Sequence, residues 1–235
     1  MIQNIVGLFT QEGGQFITNP DAVGKTLQKI RGLLFDWDGV FNNGAKSSEQ
    51  PSTFSEIDSM GINMLRFAIW LQTGEVPFTG IITGQVNDSA FELAKREHFQ
   101  AVYYNFKWKK EALDHIKSQF GLNSSQMLFV YDDILDISAA KHSGFSVLVR
   151  RDSSPMFTEF VKKNKYADYI TAFRAEQNAV RETCELVMGL LGKFDQVVNQ
   201  RIEFSEEYGN FLQQRNQISS SFFHKSDKKI IETII

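Results

Sequence analysis

The alternation of short apolar runs with longer amphipathic ones through the middle of this chain most limits what it can fold into. Gly32 to Asp36, Pro77 to Thr83, Ala101 to Tyr104, Met127 to Tyr131 and Phe145 to Val149 are short, rich in aromatic and branched residues, and bounded by turn formers, so each is predicted to be a strand. None alternates strictly between polar and apolar, as expected of a parallel sheet covered on both faces. Helix-period stretches lie between them. Met60, Met64, Leu65, Ala68, Ile69 and Leu71 share one apolar face, and Phe91, Leu93 and Ala94 continue a helix begun near Asn87 and Asp88. Ala112, Leu113, Ile116 and Phe120 form a third stripe ended by Gly121, and Ile134 to His142 predicts a fourth ended by Gly144. Such alternation implies an α/β fold, a doubly wound and mostly parallel sheet flanked by helices. Ligands of these sheets bind beyond the C-terminal strand ends, which is where chemistry is to be sought.

With 235 residues the chain can build one generous domain, or one with appendages. Residues 1–31 read as a helical lead-in, 32–192 as the α/β domain and 193–235 as a C-terminal helical extension and tail. The polar stretch 41–57, with Asn42, Asn43, Gly44 and Pro51, suits a β-hairpin flap better than a helix. Phe194 to Gln217 reads as helical through Val197, Val198, Ile202, Tyr208, Phe211 and Leu212. From Ser219 onward the serine- and lysine-rich tail predicts partial disorder.

A net charge of −3 with scattered lysines and arginines excludes a nucleic-acid footprint. No run approaches the roughly 18 apolar residues of a membrane span. The single cysteine, Cys184, lies in an apolar helix-period stretch and reads as a small core residue. The first residues lack the pattern of a signal peptide, so the cytoplasm is the expected compartment.

The first strand ends in Asp36-Trp37-Asp38-Gly39-Val40, placing two acids over the ligand-binding edge, where a cation would offset their repulsion. A second acidic group, Asp132-Asp133 with Asp136, follows the fourth strand. Helix capping would account for Asp133 or Asp136 alone, but for the three together less well. Two acidic strand ends in one sheet point to a divalent-ion site, and Mg2+ suits oxygen ligands. Thr83-Gly84 ends the second strand, where a hydroxyl and backbone amides can meet a phosphate oxygen; a plain turn is the other reading. Lys109 opens the third helix, either as a solvated lysine or as a functional one.

In chain order, acid pair, hydroxyl, lysine and acid pair together resemble the haloacid dehalogenase superfamily of phosphatases. The closest branch in pattern is that of 3-deoxy-D-manno-octulosonate 8-phosphate and acylneuraminate phosphatases. The features shared with it are Asp36-Trp37-Asp38-Gly39-Val40 with Gly44, then Asp58 and Gly61-Ile62, Ile81-Ile82-Thr83-Gly84, Lys109, Asp132-Asp133 with Asp136, Ala167-Asp168-Tyr169 and Ala179-Val180-Arg181-Glu182. The resemblance spans about Ile30 to Leu191. It implies a magnesium-dependent phosphatase acting on a small phosphomonoester such as an acidic 3-deoxy sugar phosphate. Asp36 would be the nucleophile and Asp38 the general acid and base. Asp36, Asp38 (through its carbonyl) and Asp132 would hold the metal; Thr83, Gly84 and Lys109 would hold the phosphoryl group; Asp133 and Asp136 would support. It also implies a capless enzyme whose flap builds a homo-tetramer.

Three positions depart from the branch. Tyr131 stands where the relatives have Gly, Gln85 where they carry Arg, and Arg174 to Asn178 replaces a glycine- and arginine-rich segment. Tyr131 either narrows the site or points into the core. A receiver-type phospho-accepting domain shares the acids, Thr and Lys, but lacks an acid two residues after the nucleophile. A catalytically degenerate scaffold subunit is the third reading.

Overall fold

The computed structural model describes residues 2–46, 52–227 and 229–235. Along the chain run α1 (Ile2–Gln11), β1 (Gln15–Phe16), α2 (Pro20–Leu27), β2 (Gly32–Phe35), α3 (Glu56–Thr73), β3 (Phe78–Ile82), α4 (Asp88–Arg96), β4 (Ala101–Tyr104) and α5 (Lys110–Phe120). There follow β5 (Met127–Tyr131), α6 (Ile137–Ala140), β6 (Phe145–Leu148), α7 (Pro155–Asn164), β7 (Tyr169–Ile170), α8 (Ala179–Leu190), α9 (Phe194–Glu203), α10 (Glu206–Arg215), β8 (Ser221–Ser226) and β9 (Lys229–Thr233). Among the described residues the strands form one sheet in the order β1-β7-β6-β5-β2-β3-β4-β8-β9. Pairing is parallel from β7 through β8, and antiparallel only where β1 and β9 close the two edges.

The sheet is doubly wound, as predicted. From β2 the chain moves outward through β3 and β4, then returns to lay β5 against the other side of β2. That return makes the β2–β5 boundary the switch point, where crossover loops part and leave a crevice. Every residue of β2, β3, β4, β5 and β6 is buried. Alternate side chains enter two cores. Leu33, Phe35, Leu128 and Val130 face the layer holding α3 and α8, while Leu34, Met127, Phe129 and Tyr131 face α5, α6 and α7. Ser55 caps α3, its hydroxyl accepting from the Ile57 amide, and Gly74 ends it at φ 77°, a left-handed conformation that glycine adopts without a Cβ penalty.

Five sequence expectations need adjustment. Ile134 to His142 is not one helix but a 3-10 turn, Ile134–Asp136, followed by the short α6. The Asp133 carboxylate accepts from the Ile134 amide and that of Asp136 from the Asp133 amide, which tightens the first turn. Phe194 to Gln217 is two helices, because Phe204 turns left-handed at φ 50° and Ser205 starts a new N-cap. The tail expected to be partly disordered forms β8 and β9, so the C-terminal extension is helical only in its first half. Adjacent Phe222 and Phe223 bury opposite faces of β8 in the two cores, and Asp227 turns the hairpin at φ 53°. The lead-in likewise adds β1 to the sheet. The flap expected over 41–57 is described at its ends, where α3 already begins at Glu56; residues 47–51 lie outside the described residues. Among the described residues no helix is long and apolar enough to cross a membrane.

Candidate active site

Asp36 and Asp132 leave neighbouring strands at the switch point. The Asp36 amide donates to the Val130 carbonyl (2.9 Å), continuing the β2–β5 ladder one residue past β2 and fixing where the carboxylate emerges. Carboxylate oxygens of Asp36, Asp132 and Asp136 lie within 4.8 Å of one another, and all three residues are buried. Lys109, just ahead of α5 and 3% exposed, reaches across the cluster to pair with Asp36 (2.5 Å) and with Asp136. The four groups sit in one pocket of about 290 Å3 together with Asp38, Thr83, Gly84 and Asp133.

The members differ in what they face. The Asp38 side chain pairs with Lys46 (2.6 Å) and accepts from the Asn87 amide (3.3 Å), while its other oxygen is buried without a hydrogen-bond partner. Thr83 accepts from the Asn87 amide at 2.9 Å. A Cβ at Gly84 would stand in open space, so packing does not require that glycine. Gly39 is different. It sits at φ 86°, and a Cβ there would collide with the Asp132 carboxylate and the Arg151 guanidinium. Asp133 stands apart from the cluster, its side chain 54% exposed and occupied in capping Ile134.

Burial pushes the Asp36 carboxyl up to about 7; the charge of Asp136 adds to that and Lys109 opposes it. Burial likewise pushes Asp132 up to about 8, helped by Asp36 and Asp136. Burial works against the charge of Lys109, but Asp136 and Asp36 outweigh it and raise its pKa. Buried acids this close bear an electrostatic penalty that a hard dication would relieve, and an all-oxygen donor set suits magnesium. The residues present therefore fit that ion.

The pocket brings together Asp36, Asp38, Thr83, Lys109, Asp132 and Asp136, which the strand-end rule singles out, and three residues that it does not are bonded to them. Arg151 donates to Asp132 from just beyond β6, the strand beside β5; a cation at that strand end was the available signal. Asn87 reads in sequence as a helix start, and it occupies that position, yet it makes no capping bond; its amide turns into the site instead. Lys46 bridges Asp38 and Gln85 (2.8 Å) from the flap. Tyr131 points into the core. Its hydroxyl donates to the Tyr166 carbonyl at 2.9 Å, and its ring stacks on Phe129.

No family model matches the chain. Among curated proteins it is similar to the 3-deoxy-D-manno-octulosonate 8-phosphate phosphatase KdsC of Escherichia coli K12, 27% identical over 186 residues that cover 77% of this chain and 91% of the relative. The Yersinia pestis protein of the same name is 26% identical, covering 72% and 84%. Among solved structures, the Moraxella catarrhalis 3-deoxy-D-manno-octulosonate 8-phosphate phosphatase, a complex with magnesium, phosphate and KDO, superposes with a TM-score of 0.64 at 23% identity, covering 77% of this chain and 98% of that one. A putative subfamily III A hydrolase of the haloacid dehalogenase superfamily from Legionella pneumophila gives 0.64 at 24%, covering 78% and 95%. The fold is thus haloacid dehalogenase-like, and the curated relatives that the chain matches are named phosphatases.

Proposed function

We propose that this chain is a magnesium-dependent phosphoric monoester hydrolase acting on a sugar phosphate through an aspartyl-phosphate on Asp36. The observation that carries the reading is the meeting of Asp36, Asp132 and Asp136 within 4.8 Å at the switch point, with Lys109 bonded across them. Asp36, Asp132 and the carbonyl of Asp38 would hold the ion, with Asp136 beside them. When bound, it supplies positive charge that screens the approach of a carboxylate to a phosphate dianion.

The residues of the chain divide the remaining work. Lys109 and Thr83 bind phosphoryl oxygens, where transition-state charge collects. A carboxylate oxygen of Asp36 attacks phosphorus as the bond to the leaving oxygen breaks, and Asp38 gives that oxygen its proton. Asp38 then takes a proton from water; the resulting hydroxide attacks phosphorus and releases phosphate and the Asp36 carboxylate. Asn87 holds Asp38 and Thr83 in fixed relation. Asp133 supports by capping the turn that presents Asp136.

Asp36→Asn is expected to lower kcat on the order of 10³-fold or more while the thermal transition stays cooperative. A clean Asp36→Asn preparation with full activity would remove the nucleophile. An acidic 3-deoxy sugar phosphate is the substrate we favour from the named relatives, and a panel of sugar phosphates with and without Mg2+ tests it. On the same resemblance we assign catalysis to residues 32–192 and expect a cytoplasmic homo-tetramer; light scattering at working concentration checks the assembly.

A further inference from the structure

The three buried carboxylates of the acid cluster are not held alike. Lys109 pairs with Asp36 and with Asp136, and the Asp133 amide also donates to Asp136 (3.1 Å). Asp132 has neither support. Among the described residues its side chain meets a single donor, the Arg151 guanidinium, which bonds to Oδ2 and leaves Oδ1 without a protein partner. The Asp132 side chain is 3% exposed, so salt screens this contact far less than it screens a surface pair.

The backbone builds the contact from both sides. The Val149 amide donates to the Tyr131 carbonyl (2.7 Å), which keeps β6 laddered to β5 up to the residue before Asp132, and Arg151 follows two residues later. The Arg151 carbonyl accepts from the Ser154 amide (3.2 Å), closing the turn that carries it. Opposite, Gly39 leaves the space in which Asp132 Oδ2 and the guanidinium meet, since a Cβ there would overlap both. The other terminal nitrogen of Arg151 stands 4.0 Å from Asp133, whose side chain is 54% exposed, so that pair adds little.

We infer that Arg151 is a positioning residue for the metal: it fixes Asp132 through Oδ2 so that Oδ1 is presented to the ion. The inference rests on the magnesium-dependent reading of the pocket. Charge and geometry pull in opposite directions here. A guanidinium beside the ligand repels an entering dication, so on charge alone its removal would tighten binding. Loss of the outer partner that orients a ligand typically weakens binding by about 10–100-fold. Because Arg151 is the one fixed partner of the Asp132 side chain among the described residues, orientation outweighs repulsion. The identity of the ion matters as well. Mg2+ demands near-ideal octahedral geometry, whereas Ca2+ accepts oxygens in flexible arrangements. A freely turning Asp132 therefore weakens magnesium binding more than calcium binding.

Calorimetry on the metal-free protein, at one pH, reads this without turnover. Wild type is expected to bind Mg2+. Arg151→Gln should raise the Kd for Mg2+ about tenfold or more and that for Ca2+ about threefold or less. Arg151→Lys, which keeps the charge but not the planar fork, should recover part of the magnesium affinity. The Mg2+ concentration giving half-maximal hydrolysis of p-nitrophenyl phosphate should move with the Kd. An Arg151→Gln protein that binds Mg2+ as tightly as wild type, or more tightly, would show Arg151 to be a competing cation and overturn the assignment. Equal losses for Mg2+ and Ca2+ would overturn it too, since a general loosening of the site produces them. Thermal unfolding of the metal-free variants checks their folding. If Arg151→Gln does not fold, Arg151→Lys carries the comparison, and an unchanged preference for Mg2+ over Ca2+ in it counts against the assignment. A wild-type protein that binds no Mg2+ would instead sink the magnesium reading, and this inference with it.

Discussion

Lys109→Met removes the cation from the acid cluster while keeping most of its volume. Lys109 is 3% exposed and bonded to both Asp36 and Asp136, so its loss leaves buried carboxylates without their partner. Breaking a buried pair in this way costs about 3–5 kcal/mol when the remaining group stays charged. The cost depends on pH because Asp36 can take up a proton instead. In the wild type its carboxyl is pushed up to about 7, and Lys109 is one of the groups opposing that rise. Without the lysine the folded pKa climbs further above the unfolded value of about 3.9. An acid raised in this way binds its proton more tightly when folded, so its contribution to stability is lost as pH rises toward the folded pKa. Below about pH 6 Asp36 is mostly neutral with or without Lys109, and the Asp36 share of the deficit is small. Above about pH 7 the wild-type carboxylate ionises against its lysine, the variant cannot follow, and the gap widens by up to about 1.4 kcal/mol per pH unit. Denaturant unfolding in EDTA should show a deficit of about 1–2 kcal/mol at pH 6 and about 3–5 at pH 8.5. Near the thermal midpoint the larger value corresponds to roughly 6–20 °C. Millimolar Mg2+ should shrink it by supplying charge to the same oxygens. A deficit equal at the two pH values, or larger at pH 6, would refute the reasoning.

Other outcomes follow from the same geometry. Asp36 at about 7 and Asp132 at about 8 must lose protons to bind a cation, so Mg2+ affinity measured by calorimetry should rise from pH 6 to 8.5 with proton release. Gly39→Ala adds a Cβ at φ 86° against Asp132 and Arg151; expected are a loss of about 1–2 kcal/mol from the backbone alone and weaker Mg2+ binding, checked by denaturation and calorimetry. Tyr131→Phe removes one buried hydrogen bond to Tyr166 and should cost about 1 kcal/mol in stability, with kcat within about twofold of wild type in a steady-state assay.

The central sheet was legible because its strands are continuous apolar runs with no competing period, and β2 through β6 lie within a residue or so of where that pattern puts them. The acids were legible for the same reason, since a carboxylate directly after a fully buried strand has few places to go but the sheet's open end. What escaped depends on facts that no local window holds. Arg151 matters because β6 lies beside β5, and Asn87 because its side chain leaves the helix it opens. The tail misled because its serines and lysines outweigh Phe222 and Phe223 by count, although those two rings decide its conformation by filling both cores.

The strand that completes the central sheet beyond β4 is made late. Tyr104 and its cross-strand neighbour His224 are 120 positions apart, a separation that takes a ribosome roughly 6–24 s to cover. For that interval β4 emerges with its outer amides and carbonyls unsatisfied, an open template for another strand. The finished hairpin removes the template and ends it with β9, which carries Lys229 and Glu232 outward-exposed along the new margin. Nascent chains arrested before Ser221 should therefore be the ones that chaperones hold and proteases clear.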